Sequence, residues 1–104
     1  MGQIRWTEKA SANLQSIFEY IAKDSRLCAA RYVKSLIRAT GRLENMPFCG
    51  RVVPELDNPD LREVIYGNYR IIYRVVGKDK NIQIIALVHA ARELRQAISE
   101  EWEL

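Results

Sequence analysis

Hydrophobic and polar positions alternate along Tyr69–Val76, where β-branched and aromatic residues predominate. This period of two predicts a β-strand with two different faces. One face carries Tyr69, Ile71, Tyr73 and Val75, and the other carries Arg70, Ile72, Arg74 and Val76. We expect a sheet that is covered on the aromatic face only, so that the arginine face stays open to an anionic or acidic partner.

Two amphipathic helices are predicted before this strand. Hydrophobic residues recur at helical spacing over residues 8–23 and again over residues 26–46. Thr7 and Ser25 are suitable N-cap residues, and Pro47 ends the second helix because proline disfavours a helical conformation in the residue before it. The short break between the helices predicts an antiparallel hairpin that buries its hydrophobic stripes against the sheet.

The other elements indicate an α+β fold in the order β-α-α-β-β-β-α, with the helical hairpin on one face of a small antiparallel sheet. An edge strand is predicted over residues 3–6, further strands over residues 61–66 and 82–88, and a short helix over residues 90–99. Residues 47–60 form a long loop that contains all three prolines. We expect Ile72, Val76, Ile85 and Leu87 to share the open face, partly covered by a partner, a second copy or the last helix.

Size and composition predict a single globular domain over residues 1–104, with a net charge of +3. The two cysteines have no metal-ligand spacing and no disulfide pattern. We find no signal peptide and no hydrophobic run long enough to span a membrane, so a soluble, cytoplasmic protein is expected. We expect no cofactor and no metal.

The chain lacks a glycine-rich phosphate loop, a zinc-ligand cluster and a nucleophile elbow. Arginines, a single histidine and a few carboxylates remain, and these suit electrostatic binding or acid–base cleavage of RNA. Arg70 and Arg74 share a strand face, and Glu55 lies in the long loop. His89 follows the last strand, where we expect it near Arg70, and Arg92 lies one helical turn later.

Several short segments together resemble the RelE/ParE superfamily of toxins from bacterial type II toxin–antitoxin modules. They are Trp6-Thr7, Gly50-Arg51, Pro54-Glu55, Arg62-Glu63, Tyr69-Arg70-Ile71-Ile72-Tyr73 and Val88-His89-Ala90-Ala91-Arg92. The resemblance covers nearly the whole chain and implies the same fold. It also implies a toxin that a cognate antitoxin neutralises, in a homodimer or a toxin–antitoxin hetero-oligomer.

The resemblance leaves the target open. RelE-like members cleave mRNA in the ribosomal A site, and this activity would assign Arg70, Arg92, His89 and Glu55 as catalytic residues. ParE-like members, known as plasmid stabilisation proteins, act on DNA gyrase without a catalytic site of their own. In either case the target or antitoxin would contact Arg70, Ile72, Arg74, Arg62 and Arg92.

The Gly-Arg-x-x-Pro-Glu loop, the His-x-x-Arg ending and the missing tyrosine near the C-terminus favour a ParE-like gyrase inhibitor. A RelE-like ribosome-dependent endonuclease is the alternative. A third possibility is a degenerate toxin that only binds an antitoxin.

Overall fold

The computed structural model describes residues 2–90, and within them the predicted strand, two helices and three strands follow in the predicted order, with one additional two-residue strand inside the predicted loop. The elements are β1 (Ile4–Trp6), α1 (Glu8–Ala22), α2 (Arg26–Gly41), β2 (Arg51–Val52), β3 (Leu61–Tyr66), β4 (Tyr69–Val76) and β5 (Asn81–His89). The α+β class is therefore confirmed. The helix predicted over residues 90–99 lies outside the described residues, apart from Ala90, whose N–H donates to Asn68 O in a turn.

Both predicted helix caps are present. The Thr7 side chain accepts a hydrogen bond from Ala10 N, and the Ser25 side chain accepts one from Cys28 N. These bonds satisfy N–H groups that have no partner within the helix. α2 ends at Gly41 rather than at Met46, because a 3₁₀ helix over Arg42–Glu44 takes up the remaining turn.

The five strands are arranged in the order β1-β5-β4-β3-β2. The prediction of an antiparallel sheet was wrong for one pair, because β1 runs parallel to β5 and the sheet is mixed. The helical hairpin follows β1 in the chain, but β1 pairs with β5, the last described strand. Gln3 N–H donates to Asn81 Oδ1 across a separation of 78 residues. No local pattern in the sequence predicts such a distant pairing.

A β-bulge interrupts the pairing of β4 with β5. Ile72 pairs with Ala86 and Tyr73 pairs with Ile84, so Ile85 is an extra residue in β5. An extra residue reverses the alternation of side chains beyond it. Leu87 consequently packs in the core under the helices, while Ile85 packs on the opposite face. The prediction that Ile85 and Leu87 share a face was wrong for this reason.

Hydrophobic cores lie on both faces of the sheet. The larger one packs the helices on the sheet and includes Ala10, Ile17, Leu36, Leu43, Val64, Ile71, Tyr73, Val75, Ile82, Ile84 and Leu87. On the other face, Val53 and Leu56 of the long loop pack with Leu61, Ile72, Ile85, Ala86 and Val88. The expectation that this second face stays open was wrong for the part that the loop covers. Within residues 2–90, no helix has the length and hydrophobicity needed to cross a membrane.

Candidate functional site

Arg70 lies on the face of β4 that points away from the helices, as the alternation predicts. Its side chain is nevertheless only 8% exposed, because it is enclosed by two carboxylates. Nη1 and Nη2 donate to the two carboxylate oxygens of Glu55 at 2.7 and 2.8 Å, and Nε donates to Glu63 Oε1 at 2.5 Å. The prediction of a guanidinium exposed to a partner was therefore wrong. The three bonds occupy Nε, Nη1 and Nη2, so every guanidinium nitrogen is engaged.

Strand register explains the contact with Glu63. Glu63 pairs with Ile72 and Arg70 pairs with Ile65 across β3 and β4, so the two charged side chains are diagonal neighbours on one face. The Glu63 side chain is fully buried, and its other oxygen accepts a hydrogen bond from Arg51 Nε. The buried carboxylate thus lies between two arginines, of which Arg51 is mostly exposed.

Sequence reasoning missed Glu63 and Arg51 as members of this site. A carboxylate between hydrophobic positions of a strand was the available signal, because a buried acid needs a cation nearby. The sequence around Arg51 gave no comparable signal. Arg51 lies in β2, which is only two residues long and shows no strand pattern within the loop.

Glu55 reaches Arg70 because the long loop folds over the sheet. Val53 N–H donates to Leu61 O, and Leu56 N–H donates to Val53 O, which fixes the loop beside β3. The hydrogen bonds from Arg70 hold the pKa of the Glu55 carboxyl at about 2, although partial burial opposes this shift. The hydrogen bonds to Glu55 in turn raise the pKa of Arg70. Both groups are therefore charged at neutral pH, as a stable ion pair requires.

The start of the loop is fixed from the other side of the sheet. Tyr73 OH donates to Pro47 O at 2.8 Å and accepts a hydrogen bond from Gly50 N at 3.0 Å. Burial raises the pKa of the Tyr73 hydroxyl, so it remains a neutral donor. A side chain at position 50 would collide with β3 and with this ring, since an added Cβ lies 2.5 Å from Glu63 O.

His89 does not join Arg70. It pairs with Tyr69 in the sheet register, whereas Arg70 pairs with Val88, and adjacent positions on a strand point to opposite faces. The His89 ring packs edge-on against the Tyr69 ring at a centroid distance of 5.5 Å, and Tyr69 belongs to the helix side. The expected proximity of His89 to Arg70 was wrong because it overlooked this one-residue offset.

The remaining predicted residues are distributed over both faces. Ile72 is completely buried under the loop, and Arg74 is partly exposed on the same face. Arg62 pairs with Tyr73 and therefore lies on the helix side, where its guanidinium stacks over Phe48 and donates to Gly50 O. Arg92 lies outside the described residues. Within residues 2–90, no three metal-binding side chains form a cluster that could hold an ion.

Comparison with known proteins agrees with this architecture. The family model of the ParE toxin of the type II toxin–antitoxin system parDE matches residues 4–94. The chain belongs to this toxin family. It is 38% identical over 93 residues to Toxin RelE2 of Caulobacter vibrioides, which covers 88% of this chain and 99% of that protein. It is 31% identical to the putative toxin Y4kP of Sinorhizobium fredii, covering 92% and 96% of the two chains.

Solved structures share the fold of this toxin. A chain of the chromosomal ParDE toxin–antitoxin system of P. aeruginosa superposes with a TM-score of 0.69 at 25% identity, covering 86% of this chain and 96% of that one. A chain of the RelBE2 toxin–antitoxin complex of Mycobacterium tuberculosis gives a TM-score of 0.63 at 19% identity, covering 85% and 96%. The RelE/ParE fold predicted from the sequence is confirmed.

Proposed function

We propose that this toxin inhibits growth by acting on DNA gyrase without cleaving RNA itself, and that a cognate antitoxin neutralises it. The observation that carries the proposal is the enclosure of Arg70. Its guanidinium is already compensated by Glu55 and Glu63, and its side chain is only 8% exposed. An arginine that stabilises a phosphodiester transition state must instead direct its donors towards the substrate.

The location of His89 supports the same conclusion. An acid–base mechanism needs its proton-transferring group within hydrogen-bond reach of the reacting atoms, together with the stabilising cation. Here the histidine and Arg70 lie on opposite faces of the sheet. The match to the ParE family model and the similarity to the P. aeruginosa ParDE system favour gyrase and an antitoxin as the partners.

A supercoiling assay tests the proposal. Purified toxin added to DNA gyrase and relaxed plasmid is expected to block supercoiling or to accumulate cleaved DNA complexes. His89→Ala is expected to act as strongly as the wild type, because the histidine has no catalytic task in this mechanism. Full gyrase activity in stoichiometric excess of folded toxin would reject the proposal.

A ribosome-dependent mRNA endonuclease is the second candidate, because the chain is 38% identical to a protein named Toxin RelE2. Sequencing the 5′ ends of cellular mRNA after toxin induction tests this activity. Cuts at fixed codon positions that His89→Ala abolishes would establish the nuclease. Uncut mRNA together with growth arrest is the result that the gyrase proposal requires. Growth unaffected by the free toxin would instead indicate the degenerate binding module.

A further inference from the structure

The long loop leaves part of the second sheet face uncovered. It packs over Ile72 and Val88, but the residues closer to the β4–β5 turn remain accessible. Val76, on this part of the face, keeps 41% of its surface exposed. Arg5 is exposed as well, and Arg74 and Gln83 are partly exposed. A single exposed hydrophobic residue is common on protein surfaces, so the case for a binding surface rests on the charged residues beside Val76.

The sheet register places two arginines in one row. Arg5 pairs with Gln83 across β1 and β5, and Gln83 pairs with Arg74 across β5 and β4. Paired residues share a face, so the two guanidinium groups project from the same side, with Cα atoms about 10 Å apart over two strand spacings. Within residues 2–90, neither arginine has a hydrogen-bond or ion-pair partner, in contrast to Arg70. Two such cations can bind a single anionic group between them through charge-assisted hydrogen bonds.

A groove of about 390 Å³ adjoins this row, and its lining residues are Arg5, Trp6, Thr7, Glu8, Val76, Asn81, Ile82 and Gln83. The groove is close to the size of one or two amino-acid side chains, and Val76 gives it a hydrophobic wall. The carboxylate of Glu8 in the lining would repel successive phosphates of a nucleic acid. A peptide that offers one carboxylate and one hydrophobic side chain fits this surface better.

We propose that the Arg5–Arg74 groove, which is lined by Arg5, Gln83, Val76 and Asn81 and has Arg74 next to Gln83 on the adjacent strand, binds an acidic segment of a partner protein. A carboxylate lies between the two guanidinium groups, and a neighbouring hydrophobic side chain enters the groove against Val76. This inference rests on the proposed function in one respect, because it assigns the segment to the antitoxin. The groove lies apart from Arg70 and Glu55, so binding there needs no rearrangement of the ion pairs.

Trp6 provides a direct readout of the groove. The chain has two tryptophans, so Trp102→Phe leaves Trp6 as the single reporter in the full-length protein. The probe is a capped pentapeptide that holds one glutamate next to one leucine, with glycine at the other positions. We expect a saturable change in Trp6 emission, and Arg5→Ala/Arg74→Ala should weaken binding by at least about tenfold because two charge-assisted contacts are lost. Glu8→Gln should tighten it.

Arg31→Ala/Arg38→Ala is the matched control, because it removes the same charge from exposed positions on α2. Its binding should stay within about threefold of the starting protein, the size of a long-range charge effect. Equal weakening by both double variants would overturn the proposal, since binding would then depend on net charge alone. Tighter binding of a twelve-nucleotide DNA strand, lost in Arg5→Ala/Arg74→Ala, would also overturn it in favour of a nucleic acid.

A growth test separates this inference from the proposed function. The toxin is expressed with and without the product of the reading frame adjacent to its gene. If that protein rescues cells from wild-type toxin but fails against Arg5→Ala/Arg74→Ala, the groove is its binding site. Equal rescue of cells that express the wild-type toxin and cells that express the double variant would refute the groove as the binding site without refuting the proposed function. Absence of toxicity or of any rescue of the wild type would refute the proposed function, while the peptide titration still decides whether the groove binds acidic segments.

Discussion

Arg70 is the residue whose environment differs most from that expected of an exposed strand arginine. It is buried between Glu55 and Glu63, and Arg51 completes a chain of four alternating charges. Burying charges costs hydration energy, which mutual pairing offsets only when each member has its partner. The stability of this half of the sheet therefore depends on all members being present together.

Arg70→Ala should destabilise the fold strongly, by about 3–5 kcal/mol, because it leaves the buried Glu63 without one of its cations. Arg74→Ala is the control on the same strand and face, and it should change stability by less than about 1 kcal/mol. Urea unfolding followed by far-UV circular dichroism measures both. Equal, small changes in the two variants would contradict the structural role of the Arg70 pairs.

Glu55 makes stability depend on pH in the acid range. Its pKa is about 2 in the folded protein, below the ordinary value of 4.5. A lowered folded-state pKa contributes stability that is fully present above the ordinary value and is lost as pH falls towards the folded value. The difference in unfolding free energy between wild type and Glu55→Gln should therefore be largest at neutral pH and shrink between about pH 5 and pH 2. A difference independent of pH would show that Glu55 is not paired as a carboxylate.

At the level of elements, the loop over residues 47–60 is shaped by side chains of the sheet that it covers. Tyr73 holds Pro47 and Gly50 on one face, and Arg70 holds Glu55 on the other. The loop is therefore bonded on both sides of β3 and β4. The loop belongs to neither a helix nor a long strand, and these side-chain contacts help to give it a definite conformation.

Two glycines allow a matched test of this packing. Gly50→Ala should destabilise the protein by more than about 2 kcal/mol, because the new methyl group collides with backbone that cannot move cheaply. Gly41→Ala should instead stabilise it by about 0.5–1 kcal/mol, because Gly41 ends α2 with helical backbone angles and has open space around it. Thermal unfolding of both variants checks the prediction. Destabilisation of similar size in both would mean that the close approach at Gly50 is not tight.

The helical hairpin is attached to the sheet by polar bonds as well as by its core. Thr7 N–H and hydroxyl donate to Ile84 O and Ile85 O, and Asn13 Oδ1 accepts from Leu87 N. These bonds give partners to the backbone groups of Ile84, Ile85 and Leu87 on the outer edge of β5, where the pairing with β1 ends. The edge is thereby covered by α1, which protects it from pairing with another chain.

In the whole molecule, the pairing of β1 with β5 joins the two ends of the described chain. Contacts so distant in sequence form late in folding, because the entropy cost of closing the long loop precedes their gain. Ile4→Ala in β1 should therefore speed unfolding and leave the folding rate nearly unchanged, whereas Ile71→Ala in the central β4 should slow folding. Stopped-flow chevron measurements test this order. A slowed folding arm for Ile4→Ala would place β1 pairing in the transition state.

The whole molecule also determines which arginines remain available. Arg70 and Arg62 are engaged with groups of the protein itself, while Arg5 and Arg74 have no partner within residues 2–90. A single strand thus carries one structural arginine and one available arginine on the same face, four residues apart. The strand pattern predicted their shared face, but the loop above Arg70 made them chemically different.

Local periodicity was sufficient to predict both helices, their caps at Thr7 and Ser25, the three long strands and the face of Arg70. These features depend on neighbours within a few residues, which the order of amino acids specifies directly. The parallel pairing of β1, the bulge at Ile85, the fold of the loop and the partners of Arg70 were not predictable in this way. They depend on contacts between distant segments, whose free energy is set by how the assembled layers pack and neutralise one another.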